Sequence, residues 1–165
     1  MERNIVVIAH NIRSTHNVGS ILRTCDGFGV SKVYFTGYTP YPKSKNDDRL
    51  PHLAEKINNQ IHKTALGAEL TLPSQKVEIM DIIKKLKSEG FMIVALEQDK
   101  NSISLKDYTS PQSVAMLLGE EVYGIDKELM KLSDQVIEIP MSGTKESFNV
   151  SVAAGIALYQ LRFGG

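Results

Sequence analysis

The sequence predicts an α/β fold with a mainly parallel sheet that carries helices on both faces. Short runs rich in valine, isoleucine and leucine have the composition of strands buried on both sides: Ile5–Ile8, Lys32–Phe35, Met92–Leu96, Val114–Leu118 and Val136–Ile139. Segments with helical periodicity lie between these runs: Val18–Phe28, Val77–Glu89, Lys127–Leu132 and Asn149–Arg162. This alternation is typical of a parallel sheet. We expect one domain over residues 1–165, because this length gives one substantial core and no second one.

The first predicted helix separates apolar from charged positions. One stripe of the helix is apolar and contains Ile21, Leu22, Cys25 and Phe28. The side chains of Arg23 and Asp26 therefore point elsewhere. Glycines at positions 27 and 29 predict the end of this helix.

Gly37–Lys63 is the longest segment without clear periodicity, and it contains three prolines and several basic residues. A loop of this length in a small domain is usually functional or mobile, so it could be a flap that contacts the substrate. A disordered, solvated insertion is the alternative.

The composition excludes several classes of protein. No run of 18 apolar residues is present, and the N-terminus lacks the pattern of a signal peptide, so we expect a soluble, cytoplasmic protein. Cys25 is the single cysteine, which excludes an internal disulfide, and no Cys/His cluster has zinc-ligand spacing. Cys25 is predicted to be a small buried residue, with a nucleophilic thiol as the alternative.

The charge is balanced overall but unevenly distributed. The formal net charge is zero, yet residues 1–64 contain nine Lys and Arg against five Asp and Glu, together with all four histidines. A bound polyanion should therefore meet the N-terminal half. Ordinary variation of surface charge is the alternative.

Polar residues follow the first strand, from Asn11 to Thr24. The carboxyl end of a strand that leads into a helix is where open α/β sheets bind ligands. Asn17 is predicted to be the N-cap, and Gly19 would allow a close backbone approach. Arg23 could bind a phosphate through its planar guanidinium, or it could pair with Asp26 one turn later.

A second polar segment, Leu117–Ile125, has two carboxylates where a buried strand ends. Paired carboxylates can act in acid/base chemistry or bind a metal. Adjacent residues on an extended chain point apart, however, so Glu120 and Glu121 should not share one ion. The alternative is a helix N-terminus at which acidic residues favour the helix dipole.

A third segment, Ile139–Gly155, joins a strand to the last helix. Ser147, Asn149 and Ser151 exceed what one N-cap requires, and they suit a ligand with a carboxylate or ribose hydroxyls. A capped helix on a tight core is the alternative. Small residues predict close packing of this helix, which could be against another subunit: Ala153, Ala154, Gly155 and Ala157.

Taken in order, these segments resemble the three sequence motifs of the SpoU (TrmH) family in the SPOUT class of methyltransferases. Asn17–Thr24 with Phe28-Gly29 is similar to motif 1, Leu118–Ile125 to motif 2, and Ile139–Ala153 to motif 3. The resemblance implies an S-adenosylmethionine-dependent RNA 2′-O-ribose methyltransferase. It also implies that the C-terminal segment forms a deep trefoil knot that is the cofactor pocket, in a homodimer whose site the partner completes.

The resemblance also implies roles for individual residues. The residues expected to bind S-adenosylmethionine are Leu96, Gly119, Ile139, Met141, Ser147 and Phe148. Those expected at the reacting centre are Asn17, Arg23, Glu121 and Asn149, where Arg23 matches the catalytic arginine of the family. No metal is needed, and the expected substrate is RNA, with tRNA favoured over rRNA. Arginine stays protonated, so phosphate binding and electrostatic activation of the 2′-hydroxyl describe its role better than a literal base.

Two other functions are possible from the sequence. A non-catalytic RNA-binding or assembly protein could keep the knotted fold, although such a protein would not need Asn17, Arg23, Glu121, Ser147 and Asn149 together. A dinucleotide-binding domain requires a glycine-rich fingerprint after the first strand, and His10–Gly19 contains a single glycine.

Overall fold

The computed structural model describes residues 3–164. The strands are β1 (Asn4–His10), β2 (Lys32–Thr36), β3 (Ser74–Lys76), β4 (Met92–Leu96), β5 (Ile103–Ser104), β6 (Ser113–Leu118) and β7 (Gln135–Glu138). They form one sheet in the order β3-β2-β1-β6-β4-β7-β5. Every neighbouring pair is parallel, which confirms the predicted sheet.

Helices cover both faces of this sheet, as predicted. They are α1 (Thr15–Gly27), α2 (Pro51–Ala65), α3 (Ala68–Thr71), α4 (Ile79–Ser88), α5 (Lys127–Leu132) and α6 (Val150–Phe163), with a short 3₁₀ turn at Leu105–Asp107. One buried cluster joins the sheet to α1, α2 and α6, and a second joins its other face to α4 and α5. No helix within residues 3–164 is long and apolar enough to cross a membrane.

The expectation for Gly37–Lys63 is wrong in its second half, because α2 begins at Pro51. The fully buried residues of α2 are Ala54, Ile61 and Ala65, and Ile57 packs against the same cluster, so only two large apolar residues mark its periodicity. The first half, residues 37–50, is held together by internal contacts. Arg49 donates a hydrogen bond to the Tyr41 carbonyl at 3.0 Å, and its guanidinium lies over the Tyr41 ring.

The predicted N-cap of the first helix is also wrong. Helix α1 begins at Thr15, and the side chain of Ser14 accepts a hydrogen bond from the Asn17 backbone N–H at 3.1 Å. Ser14 has the extended conformation of an N-cap, so it takes this role and leaves the Asn17 side chain available for other contacts. The helix ends at Gly27, and Gly29 follows with φ 64°, as predicted.

The buried position predicted for Cys25 is confirmed. Its side chain is fully buried in the cluster beneath α1. Burial raises the pKa of the Cys25 thiol far above its ordinary value, so the thiol stays neutral and unreactive.

We predict that Gly19→Ala destabilises the protein through the contact between α1 and α2. A Cβ atom at Gly19 would lie 2.1 Å from Thr64 Oγ1 and 2.3 Å from the Ile61 carbonyl oxygen. Forcing a methyl group into such a contact costs about 2 kcal/mol in the free energy of unfolding. Gly27→Ala is the matched control on the same helix, because a Cβ there meets nothing within 4 Å. Urea denaturation should show a loss only for Gly19→Ala, and equal effects of both variants would contradict this packing.

Candidate functional site

A cavity of about 280 Å³ lies where β4, β6 and β7 end, next to the N-terminus of α6. The carboxyl ends of parallel strands share one edge of the sheet, so the loops that follow these strands are brought together there. The lining includes all six residues expected to bind the cofactor: Leu96, Gly119, Ile139, Met141, Ser147 and Phe148.

Glu121 connects the loop after β6 to the start of α1. Its Oε1 atom accepts hydrogen bonds from Asn17 Nδ2 at 3.2 Å and from the Ser14 backbone N–H at 3.3 Å. Its Oε2 atom accepts a hydrogen bond from the Arg13 backbone N–H at 3.2 Å. One carboxylate therefore fixes the position of the segment that enters α1.

Asn149 extends this network to α6. Its Oδ1 atom caps the helix by accepting hydrogen bonds from the Ser151 backbone N–H at 2.9 Å and the Ser151 hydroxyl at 2.6 Å. Its Nδ2 atom donates to Asn17 Oδ1 at 3.2 Å. Asn17 is thus hydrogen-bonded to both Glu121 and Asn149, and three residues predicted at the reacting centre lie together.

The network keeps Glu121 ionised at neutral pH. Partial burial alone would raise the pKa of this carboxyl group. Hydrogen bonds from backbone N–H groups and from the Asn17 amide outweigh burial, and the pKa of Glu121 lies below its ordinary value. The site therefore presents a fixed negative charge beside the cavity.

Glu120 and Glu121 contact different groups of Arg13, since Glu121 accepts a hydrogen bond from its backbone N–H. Glu120 forms an ion pair with the Arg13 guanidinium. Among residues 3–164, no group of three or more His, Cys, Asp or Glu side chains is placed to hold a metal.

Arg23 lies apart from this network. It is exposed on α1, it does not line the cavity, and none of the hydrogen bonds or ion pairs described for residues 3–164 involves its guanidinium. The alternative pairing with Asp26 is absent from that part of the chain, where Asp26 accepts a hydrogen bond from the Thr71 hydroxyl at 3.3 Å. The guanidinium is therefore available to a molecule outside this protomer.

Glu97 was not predicted as a site residue, although it follows β4 directly and lines the cavity. Its carboxylate accepts hydrogen bonds from the backbone N–H groups of Ile125 at 3.0 Å and Gln98 at 2.9 Å. It also occupies the space where a Cβ atom on Gly124 would lie. An acid directly after a buried strand was the available signal, and its role here is to hold the loop that carries Glu121.

The cavity lining is rich in acidic residues. Five of the residues that line it are glutamates and, among the described residues, none is a lysine, arginine or histidine; the acids are Glu97, Glu120, Glu121, Glu138 and Glu146. A concave site lined by one sign of charge favours a ligand of the opposite sign. This cavity therefore favours a ligand that carries positive charge next to an apolar part.

Comparison with family models matches residues 4–159 to the SpoU rRNA Methylase family. The chain belongs to this family. It is 34% identical over 161 residues to the tRNA (guanosine(18)-2′-O)-methyltransferase of Aquifex aeolicus. The aligned residues cover 96% of this chain and 69% of that protein. It is 32% identical over 160 residues to the 23S rRNA (guanosine-2′-O-)-methyltransferase RlmB of Nitrosomonas europaea, which covers 96% of this chain and 56% of the relative.

Solved structures agree with this membership of the SpoU family. The crystal structure of the A. aeolicus TrmH/SpoU tRNA modifying enzyme superposes with a TM-score of 0.79 at 28% identity, covering 99% of this chain and 77% of the other. An AdoMet-bound rRNA methyltransferase from Sinorhizobium meliloti superposes with a TM-score of 0.82 at 24% identity, covering 98% and 57%. The second likeness shows the fold alone.

Helix α6 of this SpoU-family chain buries half of the small residues that predict close packing. Ala154 and Ala157 are fully buried, whereas Ala153 and Gly155 are partly exposed. Close packing within the chain is therefore present at Ala154 and Ala157. A stripe of larger apolar residues on the outer side of α6 stays exposed: Val152, Ile156, Tyr159 and Phe163.

We predict that Glu121→Gln lowers the free energy of unfolding at neutral pH, because a neutral amide accepts the surrounding N–H groups less well than a carboxylate. The stabilisation by Glu121 is fully present above the ordinary glutamate pKa of 4.5 and is lost as the pH falls through the lowered pKa of the folded protein. The difference between the variant and the wild type should therefore narrow below pH 4.5.

Chemical denaturation at a series of pH values measures this difference. Glu89→Gln is the control, because Glu89 is exposed at the end of α4 and pairs only with Lys85. A Glu121→Gln difference that does not change with pH would contradict the assigned ionisation.

Proposed function

We propose that this chain is an S-adenosylmethionine-dependent methyltransferase that modifies a ribose 2′-hydroxyl of RNA. The observation that carries the proposal is the meeting of three distant motifs at one cavity through Glu121, Asn17 and Asn149. The names of relatives such as the A. aeolicus enzyme support both the methyl acceptor and the nucleic acid. We favour tRNA, since relatives from A. aeolicus, Thermus thermophilus and Escherichia coli are named for guanosine 18 of tRNA.

The cavity suits S-adenosylmethionine in shape and charge. Its volume is close to the lower end of the range of about 300–1,000 Å³ that is common for small-molecule sites. Leu96, Ile139 and Met141 provide apolar surface for an adenine ring, and the carboxylates favour a sulfonium and an ammonium group. When bound, the cofactor supplies an electrophilic methyl group.

The residues of the chain then bind the cofactor, orient the ribose of the RNA and activate its 2′-hydroxyl. Ser147, Phe148 and the backbone at Gly119 line the cofactor side. Asn17, Glu121 and Asn149 hold the mouth of the cavity in one geometry, so that a ribose 2′-hydroxyl can be aligned with the methyl group. Arg23 binds the RNA phosphate beside that ribose and stabilises negative charge as the hydroxyl loses its proton to solvent water.

We further infer that the C-terminal segment forms the deep trefoil knot of the family. Strand β7 lies between β4 and β5, although these two strands follow one another in the sequence. Residues 97–102 connect β4 to β5. The segment that follows β7 therefore lies next to this connection. Gln98 in that connection donates a hydrogen bond to the Glu146 carbonyl at 2.7 Å, which supports threading at this point.

A homodimer whose interface is formed by α6 accounts for two observations. The exposed apolar stripe on α6 is a surface that a second copy of the chain could cover. Arg23 does not contact the cavity of its own protomer, which supports a site that is completed by the partner.

Methyl transfer tests this function directly. The protein is incubated with methyl-labelled S-adenosylmethionine and unfractionated tRNA, and the RNA is then hydrolysed in alkali. A 2′-O-methylated ribose cannot assist cleavage of its own phosphodiester, so the label should appear in alkali-resistant dinucleotides. Binding of RNA without any transfer would favour the non-catalytic RNA-binding alternative.

We predict that Arg23→Ala lowers the rate of methyl transfer at least 100-fold, because the phosphate contact and the charge stabilisation are both lost. The dissociation constant for S-adenosylmethionine should stay within twofold, since Arg23 does not line the cavity. Arg23→Lys keeps the charge without the planar fork and should retain partial activity. An active Arg23→Ala variant would refute the assigned role.

We predict a dimer in light scattering at micromolar concentration. Tyr159→Asp places a charge in the exposed stripe of α6 and should give a monomer. Leu70→Asp is the control, because Leu70 is an even more exposed apolar residue on α3, outside the stripe. A monomeric wild type, or a monomeric Leu70→Asp variant, would contradict this interface.

A further inference from the structure

The proposed reaction brings a phosphate to the mouth of the anionic cavity. In RNA, the carbon that carries the 2′-hydroxyl is bonded to the carbon that carries the 3′-phosphate, so the acceptor and a negative charge arrive together. Five carboxylates line the cavity that receives them. An isolated phosphate would be repelled at this place, and a cation at the mouth is needed to hold it.

Arg13 is a cation that is fixed at this mouth. Its guanidinium forms an ion pair with Glu120, and Glu120 lines the cavity. Its backbone N–H donates a hydrogen bond to Glu121 at 3.2 Å. No other ion pair described for residues 3–164 involves a carboxylate of the cavity lining.

The outer side of Arg13 stays open to solvent. The Arg13 side chain is 59% exposed, whereas that of its partner Glu120 is 10% exposed. A guanidinium has five N–H donors, and one carboxylate leaves several of them free. Its planar fork also matches two oxygens of a phosphate.

Tyr38 is a second partner of the Arg13 guanidinium. A hydrogen bond with the Tyr38 side chain and the charge of Glu120 both raise the pKa of Arg13. The Tyr38 backbone N–H donates to Asn11 Oδ1 at 3.2 Å, and Gly37 has φ 61° where its α-carbon packs against the Asn11 side chain. This tight turn after β2 keeps the tyrosine beside Arg13.

We propose that Arg13 is a second RNA-binding arginine, which contacts the phosphate next to the reacting ribose from the protomer that holds the cofactor, while Arg23 reaches that phosphate from outside this protomer. The inference rests on the proposed function. Arg13 exchanges part of its pairing with Glu120 for the phosphate when RNA docks. It acts in the same protomer as the cavity, and it is distinct from Arg23, which does not contact the cavity lining of that protomer.

Substitutions of the two partners of the ion pair should have different effects on tRNA binding. Arg13→Gln should raise the KM for unfractionated tRNA about tenfold, and it should reduce the slope of log affinity against log salt by about one. Glu120→Gln removes the carboxylate that competes with the phosphate for the Arg13 guanidinium. The affinity of this variant for tRNA should therefore equal or exceed that of the wild type. Arg13→Gln should bind S-adenosylmethionine within twofold of the wild type, because Arg13 does not line the cavity.

Lys85→Gln is the matched control, because Lys85 is an exposed, paired lysine on α4 and does not line the cavity. Arg13→Lys retains the charge and should keep the wild-type salt slope, so it serves as a second variant if Arg13→Gln unfolds. The proposal is overturned if Arg13→Gln keeps the wild-type KM and salt slope. It is also overturned if Arg13→Gln and Glu120→Gln weaken tRNA binding equally, since the ion pair would then be structural.

Wild-type methyl transfer separates this proposal from the one on which it rests. If the wild-type protein transfers no methyl group to RNA, the proposed function fails. If the wild type transfers the methyl group and Arg13→Gln behaves identically, only the role of Arg13 fails.

Discussion

The carboxylate of Glu121 is the contact on which the geometry of the site depends. Strands β1 and β6 are neighbours in the centre of the sheet, with Ala9 paired to Leu118, so the loops that follow them emerge side by side. Glu121 accepts hydrogen bonds from one of these loops, and Asn17 transmits the connection to the cap of α6. Three segments that are far apart in sequence are fixed to one another by these short polar contacts.

Charge divides the site into two parts. The cavity is lined by carboxylates and apolar side chains, which suits a cationic methyl donor. The arginines at positions 13 and 23 lie outside that lining and are suited to the anionic acceptor. The formal net charge of zero does not show this separation, because it sums the charges of the whole chain.

The sequence predicts the central strands well, because strands buried on two faces have continuous apolar runs. Helix α2 is missed because alanines form most of its buried face. Ser14 and Asn17 are both good N-cap residues, and only the fold decides that Ser14 caps α1 and Asn17 binds Glu121. The role of Glu97 depends on the backbone N–H of Ile125, a partner 28 residues away that no local pattern indicates.

The most direct test of this account is a double-mutant cycle between Glu121→Gln and Asn149→Ala, read as kcat/KM for methyl transfer to tRNA. Each residue contacts Asn17 and neither contacts the other in the hydrogen bonds described here. If the three motifs act as one connected network, the double variant should lose less than the sum of the single losses, with a coupling of about 0.5–3 kcal/mol. Additive losses would contradict the network.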